Sequence, residues 1–163
     1  MERRTFLAGA ALAGIAPAVP VLAQETAGTQ PLVERFAATL SAHDLAAFEA
    51  LFADDYVNHQ VSAAAPAPAA GTTAKQGTVG YFAARLEGIP DLQVSIESAV
   101  ASADKVAASF VYTGTHQGTY FGVTATGRRL RFTSCDIFLV RNNQFAEHWG
   151  MGDIAGVLAQ LKS

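Results

Sequence analysis

The sequence predicts an α+β fold, with about three N-terminal helices packed on one face of a curved antiparallel sheet and a short helix closing the chain. Three observations predict it. Apolar residues recur at helical spacing between Leu32 and Leu86. From Leu92 the spacing changes to two, over several runs separated by turn residues. After Trp149 a last helical pattern, "DIAGVLAQLK", ends the chain.

The first stretch is set apart from the fold. "MERRTFLAGAALAGIAPAVPVLAQ" pairs Arg3 with Arg4 ahead of a mild apolar run interrupted by Pro17 and Pro20. It reads as a twin-arginine export signal over residues 1–23, too short and broken to span a bilayer. Cleavage after Ala23 leaves 140 residues and a net charge of −4, enough chain for one ordinary domain. The expected location is therefore the periplasm or outside the cell. That charge provides no footprint for nucleic acid or an anionic membrane. The single cysteine, Cys135, cannot form an internal disulfide, and its neighbours place it as a small filler on a buried strand.

Residues 24–30 form a polar leader, and the domain runs over 31–163. Leu32, Phe36 and Leu40 make one helix; Leu45, Phe48, Leu51 and Phe52 make a second, with Asp44 as its N-cap. "FADDYVNHQ" breaks the pattern, and the Ala/Pro-rich stretch 61–74 is a loop. A third helix covers about 75–86. Strands follow at "LQVSIESAVAS", "VAASFVYTGTHQG", "LRFTSCDIFLV" and "FAEHWGM", the last two joined by an "RNNQ" hairpin.

Side-chain alternation along strands identifies the chemistry. Phe132, Ser134, Asp136 and Phe138 share one face; Thr133, Cys135 and Ile137 share the other, and both look covered. An aspartate between phenylalanines is either paired in the core or a desolvated acid with a raised pKa. Glu147 and His148 point opposite ways, so one of them faces any given cavity. A histidine suits acid/base work near neutrality, or a core hydrogen bond. Trp149 is packing or a stacking platform. Asp153, at the start of the last helix, has an obvious use as a cap. Asn58 and His59 lie where the second helical pattern meets the loop, and His116 sits among glycines. No two histidines have ligand spacing on one element, so no metal is expected. No nucleophile triad or phosphate-binding loop stands out.

Taken together, "FADDYVNHQ", "GTHQGTYFGVTATGR" and "QFAEHWGMGD" resemble the SnoaL-like polyketide or ester cyclases of the nuclear-transport-factor-2-like superfamily, over about Pro31 to Lys162. The resemblance implies a cone-shaped barrel with a deep apolar pocket, and frequent homodimers. It implies a pocket aspartate that takes and returns a proton during aldol ring closure, with no cofactor or metal. The matching position is Asp153. Asp136 and His148 would line the pocket as further catalytic groups, and Asn58 or His59 would reach its rim. His116, Trp149, Phe132 and Phe138 complete the expected substrate-binding wall, for a small apolar carbonyl compound.

Two readings of other classes stand beside the cyclase. One is an exported binding protein for a small apolar ligand. The other is a hydratase or epoxide hydrolase using paired acids. A salt-bridged or exposed acid would favour binding, and a second carboxylate near the first would favour hydrolysis.

Overall fold

A computed structural model describes residues 28–60 and 69–163. The expected export signal, most of the leader and part of the Ala/Pro-rich loop lie outside those residues.

Helix α1 (Gln30–Ser41) begins with Pro31 in its first turn, where a missing N–H does no harm. It buries Leu32, Val33, Phe36, Ala37 and Leu40 along one stripe. The short α2 (Leu45–Glu49) is capped by Asp44, whose side chain accepts from Ala47 N at 2.9 Å. Helix α3 (Ala74–Gly88) opens with a capping box between Thr73 and Gln76. Its inward side is mixed: Leu86 is accompanied by the buried Thr78 and Arg85. A polar and a charged group on the packed side of a helix are the first sign that this helix walls something other than core.

The five-stranded sheet has the order β1-β5-β4-β3-β2, with β2 (Gln93–Ala101), β3 (Lys105–Thr115), β4 (Arg129–Arg141) and β5 (Gln144–Gly152) forming the expected antiparallel meander. Asn142 and Asn143 both take positive φ, which suits the tight turn between β4 and β5. The sheet is curved but not closed. Its first strand corrects the sequence reading. "FADDYVN", taken there as a break, is strand β1 (Phe52–Asn58), and it pairs in parallel with β5. Only Phe52 and Tyr56 are buried on it, four residues apart, and the pairing register shifts between Phe52 and Val57. A strand at an edge with Asp54 and Asp55 facing solvent leaves no alternation to read.

The helices cover the concave face. Phe36 sits at the centre of an aromatic cluster, with ring centroids 5.2 Å from Phe48, 4.8 Å from Phe110 and 5.4 Å from Phe82. Each such buried ring contributes about 2 kcal/mol of transfer free energy. Helix α4 (Ile154–Lys162) packs against β4 and adds Val157 and Leu161 to the core.

The convex face differs from expectation. Ile137, Trp149, Met151 and Val100 are exposed there or at its margin, and Cys135 is exposed rather than buried. Alternation assigned the two faces of β4 correctly, but only the concave one is covered by helices.

A second irregularity decides the orientation of β5. Leu139 pairs with Glu147 while Val140 pairs with Phe145, leaving Ala146 as an extra residue. Phe145 and His148, three apart, therefore both point inward, and both are buried. Glu147 points out.

Candidate active site

Between α3, β1 and the concave face of β3, β4 and β5 lies a cavity of about 440 Å³. Phe36, Phe52, Phe82 and Phe138 supply much of its apolar wall. Its polar groups converge from three directions, and most of them are joined by hydrogen bonds.

Asp136 and His148 form the centre. They stand on adjacent strands, nearly opposite each other, and both are buried. His148 Nε2 lies 2.8 Å from Asp136 Oδ1. Ser134, two residues before Asp136 on the same face, donates to Asp136 Oδ2 at 2.5 Å. Tyr112 Oη approaches Ser134 Oγ at 3.3 Å. Phe138 stacks on the His148 ring, with centroids 4.8 Å apart, and shields it from water.

On the other side, His148 Nδ1 lies 3.0 Å from Asn58 Oδ1. That oxygen also accepts the backbone N–H of Gln60 at 2.9 Å. Asn58 Nδ2 donates to Thr78 on α3. A backbone donor fixes which end of the amide is oxygen, so Nδ1 of His148 must carry a hydrogen. A lone pair on Nε2 facing a bare carboxylate would be repulsive. The short Nε2–Oδ1 contact thus holds one proton, and the pair is either imidazolium and carboxylate or imidazole and carboxylic acid. Such a pair can both release and accept a proton without moving its heavy atoms.

Two further residues make the pair geometrically feasible or extend it. Gly150 sits opposite Asp136 in the sheet. A Cβ there would overlap Asp136 Oδ1 and His148 Nε2, so glycine is required for close approach. Tyr56 lines the cavity, and its hydroxyl is buried without a hydrogen-bond partner among the described residues. Burial holds the phenol well above its usual pKa; nearby Thr78 opposes this and the Asp136 charge reinforces it. Tyr56 is a proton donor in search of an acceptor.

Arg85 forms part of the wall beyond Tyr112. Burial opposes its charge, but a guanidinium keeps its proton in proteins, and the hydrogen bond to Tyr120 supports the charge.

The sequence candidates divide accordingly. Asp136, His148, Asn58 and Phe138 meet in the cavity. Phe132 lies behind its wall, stacked on Tyr112 at 5.1 Å. Asp153 stands elsewhere: it is exposed, and its side chain caps α4 by accepting from Gly156 N at 2.8 Å. Its neighbours Gly152 and Ile154 line the cavity, but Asp153 does not. Among the residues lining the cavity, the carboxylate is Asp136. His59 and Trp149 are also outside. They stack 4.6 Å apart on the convex face, where His59 also bonds Glu147 at 2.8 Å. His116 is fully buried beyond the end of β3, bonded through Nδ1 to Thr126 at 2.9 Å, and is not a wall of the cavity.

Tyr56, Thr78, Arg85, Tyr112, Ser134 and Gly150 were not singled out from sequence. Thr78, Phe82 and Arg85 share a helical face at intervals of four and three, which is a readable signal of a polar groove in an apolar stripe. Gly150 had no such signal.

The profile of the "SnoaL-like polyketide cyclase" family matches residues 30–161. The chain belongs to this family. No match was found among curated proteins. Among solved structures, this SnoaL-like chain is similar to AclR, a candidate hydroxylase from Streptomyces galilaeus, at 26% identity and a TM-score of 0.71, over 84% of this chain and 82% of that one. It is similar to IdmH, a candidate polyketide cyclase from Streptomyces antibioticus, at 28% identity and a TM-score of 0.69, over 82% and 98%. A SnoaL-like protein from Jannaschia sp. shares the fold at 18% identity and a TM-score of 0.70, over 86% and 96%.

Proposed function

We propose that this SnoaL-like protein removes and returns a proton next to a carbonyl group, using Asp136 and His148 without a cofactor, in an aldol-type ring closure or a related isomerisation. The observation that carries this reading is the buried Asp136–His148 hydrogen bond, with the histidine's other N–H held by Asn58.

The chemistry follows from the proton count. In the resting pair His148 is protonated on both nitrogens and Asp136 is a carboxylate. Asp136 accepts the α-proton of the substrate through Oδ2, which keeps a lone pair beyond its bond to Ser134. The substrate becomes an enolate, and the imidazolium of His148 balances its charge. Tyr56 Oη donates a hydrogen bond to the enolate oxygen, which an apolar site makes worth more than in water. The enolate carbon attacks a second carbonyl of the same molecule. The resulting alkoxide takes the proton back from Asp136, and the pair returns to its starting state.

Similarity to IdmH supports a cyclase over other uses of the fold. A hydrolysis by paired acids finds only Asp136 as a carboxylate among the described residues of the wall. Asp136 is paired with His148, which by the criterion above favours a binding protein; catalysis is preferred because that partner can itself give up its proton, so the pair keeps a mobile proton.

The test is deuterium exchange at the α-carbon of a panel of aromatic and alicyclic ketones and β-keto esters. Asp136→Asn should lower exchange by about 10²-fold or more, and His148→Gln similarly. Exchange at the wild-type rate in Asp136→Asn would overturn the assignment.

Export and assembly belong to the same proposal. Residues 1–23 direct the chain out of the cytoplasm, and replacing Arg3 and Arg4 with lysine should retain it there in cell fractionation. The exposed apolar residues of the convex sheet face support a homodimer.

A further inference from the structure

Arg85 is 6% exposed and faces the cavity from the last turns of α3. Its guanidinium carbon lies 4.9 Å from the ring centroid of Tyr81, 4.7 Å from Phe82, 4.6 Å from Tyr112 and 5.2 Å from Phe132. Nε donates to Tyr120 Oη at 3.0 Å and Nη2 to Tyr81 Oη at 2.8 Å. Its three other N–H bonds have no hydrogen-bond acceptor among the described residues. No carboxylate among them pairs with it: the acids in ion pairs are Glu147, Asp54, Asp91, Asp55 and Asp136, and their partners are His59, Lys75, Arg129, Arg141 and His148.

A buried charge without a counter-ion is expensive, and buried charges are ordinarily paired. Aromatic faces and two phenols offset part of that expense and also fix the plane of the guanidinium. What they do not supply is an anion. The Asp136 carboxylate, the nearest functional acid of the wall, is engaged by His148 and Ser134. A planar fork of donors, held rigid and left open towards a cavity, matches one kind of group: a planar monoanion with its charge shared over two oxygens.

We infer that Arg85 is a binding residue of this cavity, and that its ligands are small, largely apolar molecules bearing either a carboxylate or the enolate of an acidic β-dicarbonyl. This deepens the proposed acid/base function by naming a second handle on the substrate. Arg85 anchors the anion at one part of the wall while Asp136 and His148 work at another. The aromatic rings around Arg85 accept the apolar part of the same molecule.

The test measures binding, so it does not depend on turnover. The probes are 2-naphthoate against neutral 2-naphthamide, and the 4-hydroxycoumarin anion against neutral 4-methoxycoumarin, titrated calorimetrically at neutral pH into the purified chain. At least one anion should bind about tenfold or more tighter than its neutral partner. Preference in the first pair identifies a carboxylate, and in the second an enolate. Arg85→Met should bring the preference below about twofold, and Arg85→Lys, which keeps the charge but loses the fork, should leave an intermediate value. Lys also serves where Met fails to fold. Equal binding of acid and neutral partner in both pairs, no binding of any probe, or an unchanged preference in the variants would overturn the inference. Asp136→Asn should keep the anion preference; its loss of exchange with preference intact separates the two proposals.

Discussion

Asn58 Oδ1 lies 3.0 Å from His148 Nδ1 and decides which nitrogen of that ring faces Asp136. The two residues come from strands that pair in parallel, with Asn58 directly beside His148. Asn58→Leu keeps the size of the side chain and removes the acceptor. His148 then loses the acceptor that holds its Nδ1–H and orients the ring, and proton exchange should fall by at least about tenfold, by the logic that makes the orienting acid matter in Ser-His-Asp triads. Nitrogen-15 spectra of His148 report the protonation and hydrogen bonding of each ring nitrogen directly. An unchanged spectrum together with an unchanged rate would remove Asn58 from the machinery.

Gly150 has a parallel role in space instead of charge. Gly150→Ala places a methyl group where Asp136 Oδ1 meets His148 Nε2. Overpacking of this kind costs about 1–3 kcal/mol, visible as a lower midpoint in denaturant. The exchange rate should fall much further than stability does, because the pair must separate. A variant with wild-type exchange would show that the two side chains tolerate displacement.

Asp153 offers the contrasting case. Asp153→Ala removes the cap on α4 and should cost about 1 kcal/mol. Proton exchange per folded molecule should stay within twofold of wild type. A loss comparable to that of Asp136→Asn would return Asp153 to the catalytic role implied by the family resemblance.

Three tyrosines link stability to alkaline pH. Burial raises the pKa of Tyr56, Tyr112 and Tyr120 above the ordinary 10.0. Above that value the unfolded chain gives up phenolic protons that the folded chain retains. Folding stability is therefore intact below about pH 10 and declines as pH rises beyond it. Urea unfolding at pH 9, 10 and 11 should show the decline, and Tyr56→Phe should make it shallower. A flat profile would mean that these phenols ionise as readily folded as unfolded.

The convex face tests assembly. Ile137 and Met151 are 43% and 78% exposed, and the single tryptophan, Trp149, lies beside them at 37%. Sedimentation of the wild-type chain should give a dimer, and Ile137→Glu combined with Met151→Glu a monomer with red-shifted tryptophan emission. A wild-type monomer at micromolar concentration would leave that face as ordinary surface.

Periodicity revealed α1, α4 and the four-strand meander, because each buries a regular stripe or alternate face, and α3 from Val79, Phe82 and Leu86, although its buried side is mixed. The shared face of Asp136 and Phe138 followed from the same rule, since β4 runs without a bulge through those residues, though which face points inward did not. The choice between Glu147 and His148 did not. One extra residue at Ala146 shifts the count on β5, and a bulge leaves no mark on composition. Strand β1 escaped notice because an edge strand with acids on its open side need not alternate.

The sequence by itself determined the architecture, the family and the presence of an acid among phenylalanines on one strand face, all of which depend on residues near one another along the chain. Only the tertiary structure showed which acid lines the cavity. The family resemblance pointed to Asp153, but the start of a helix holds that carboxylate on free N–H groups outside the cavity. Asp136 found its partners at Asn58, Ser134 and His148, and Arg85 its aromatic walls on α3, β3 and β4, across strand and helix contacts between distant parts of the chain. Proton sharing and charge burial are set by distances of a few ångströms in space, and separation along the chain does not encode them.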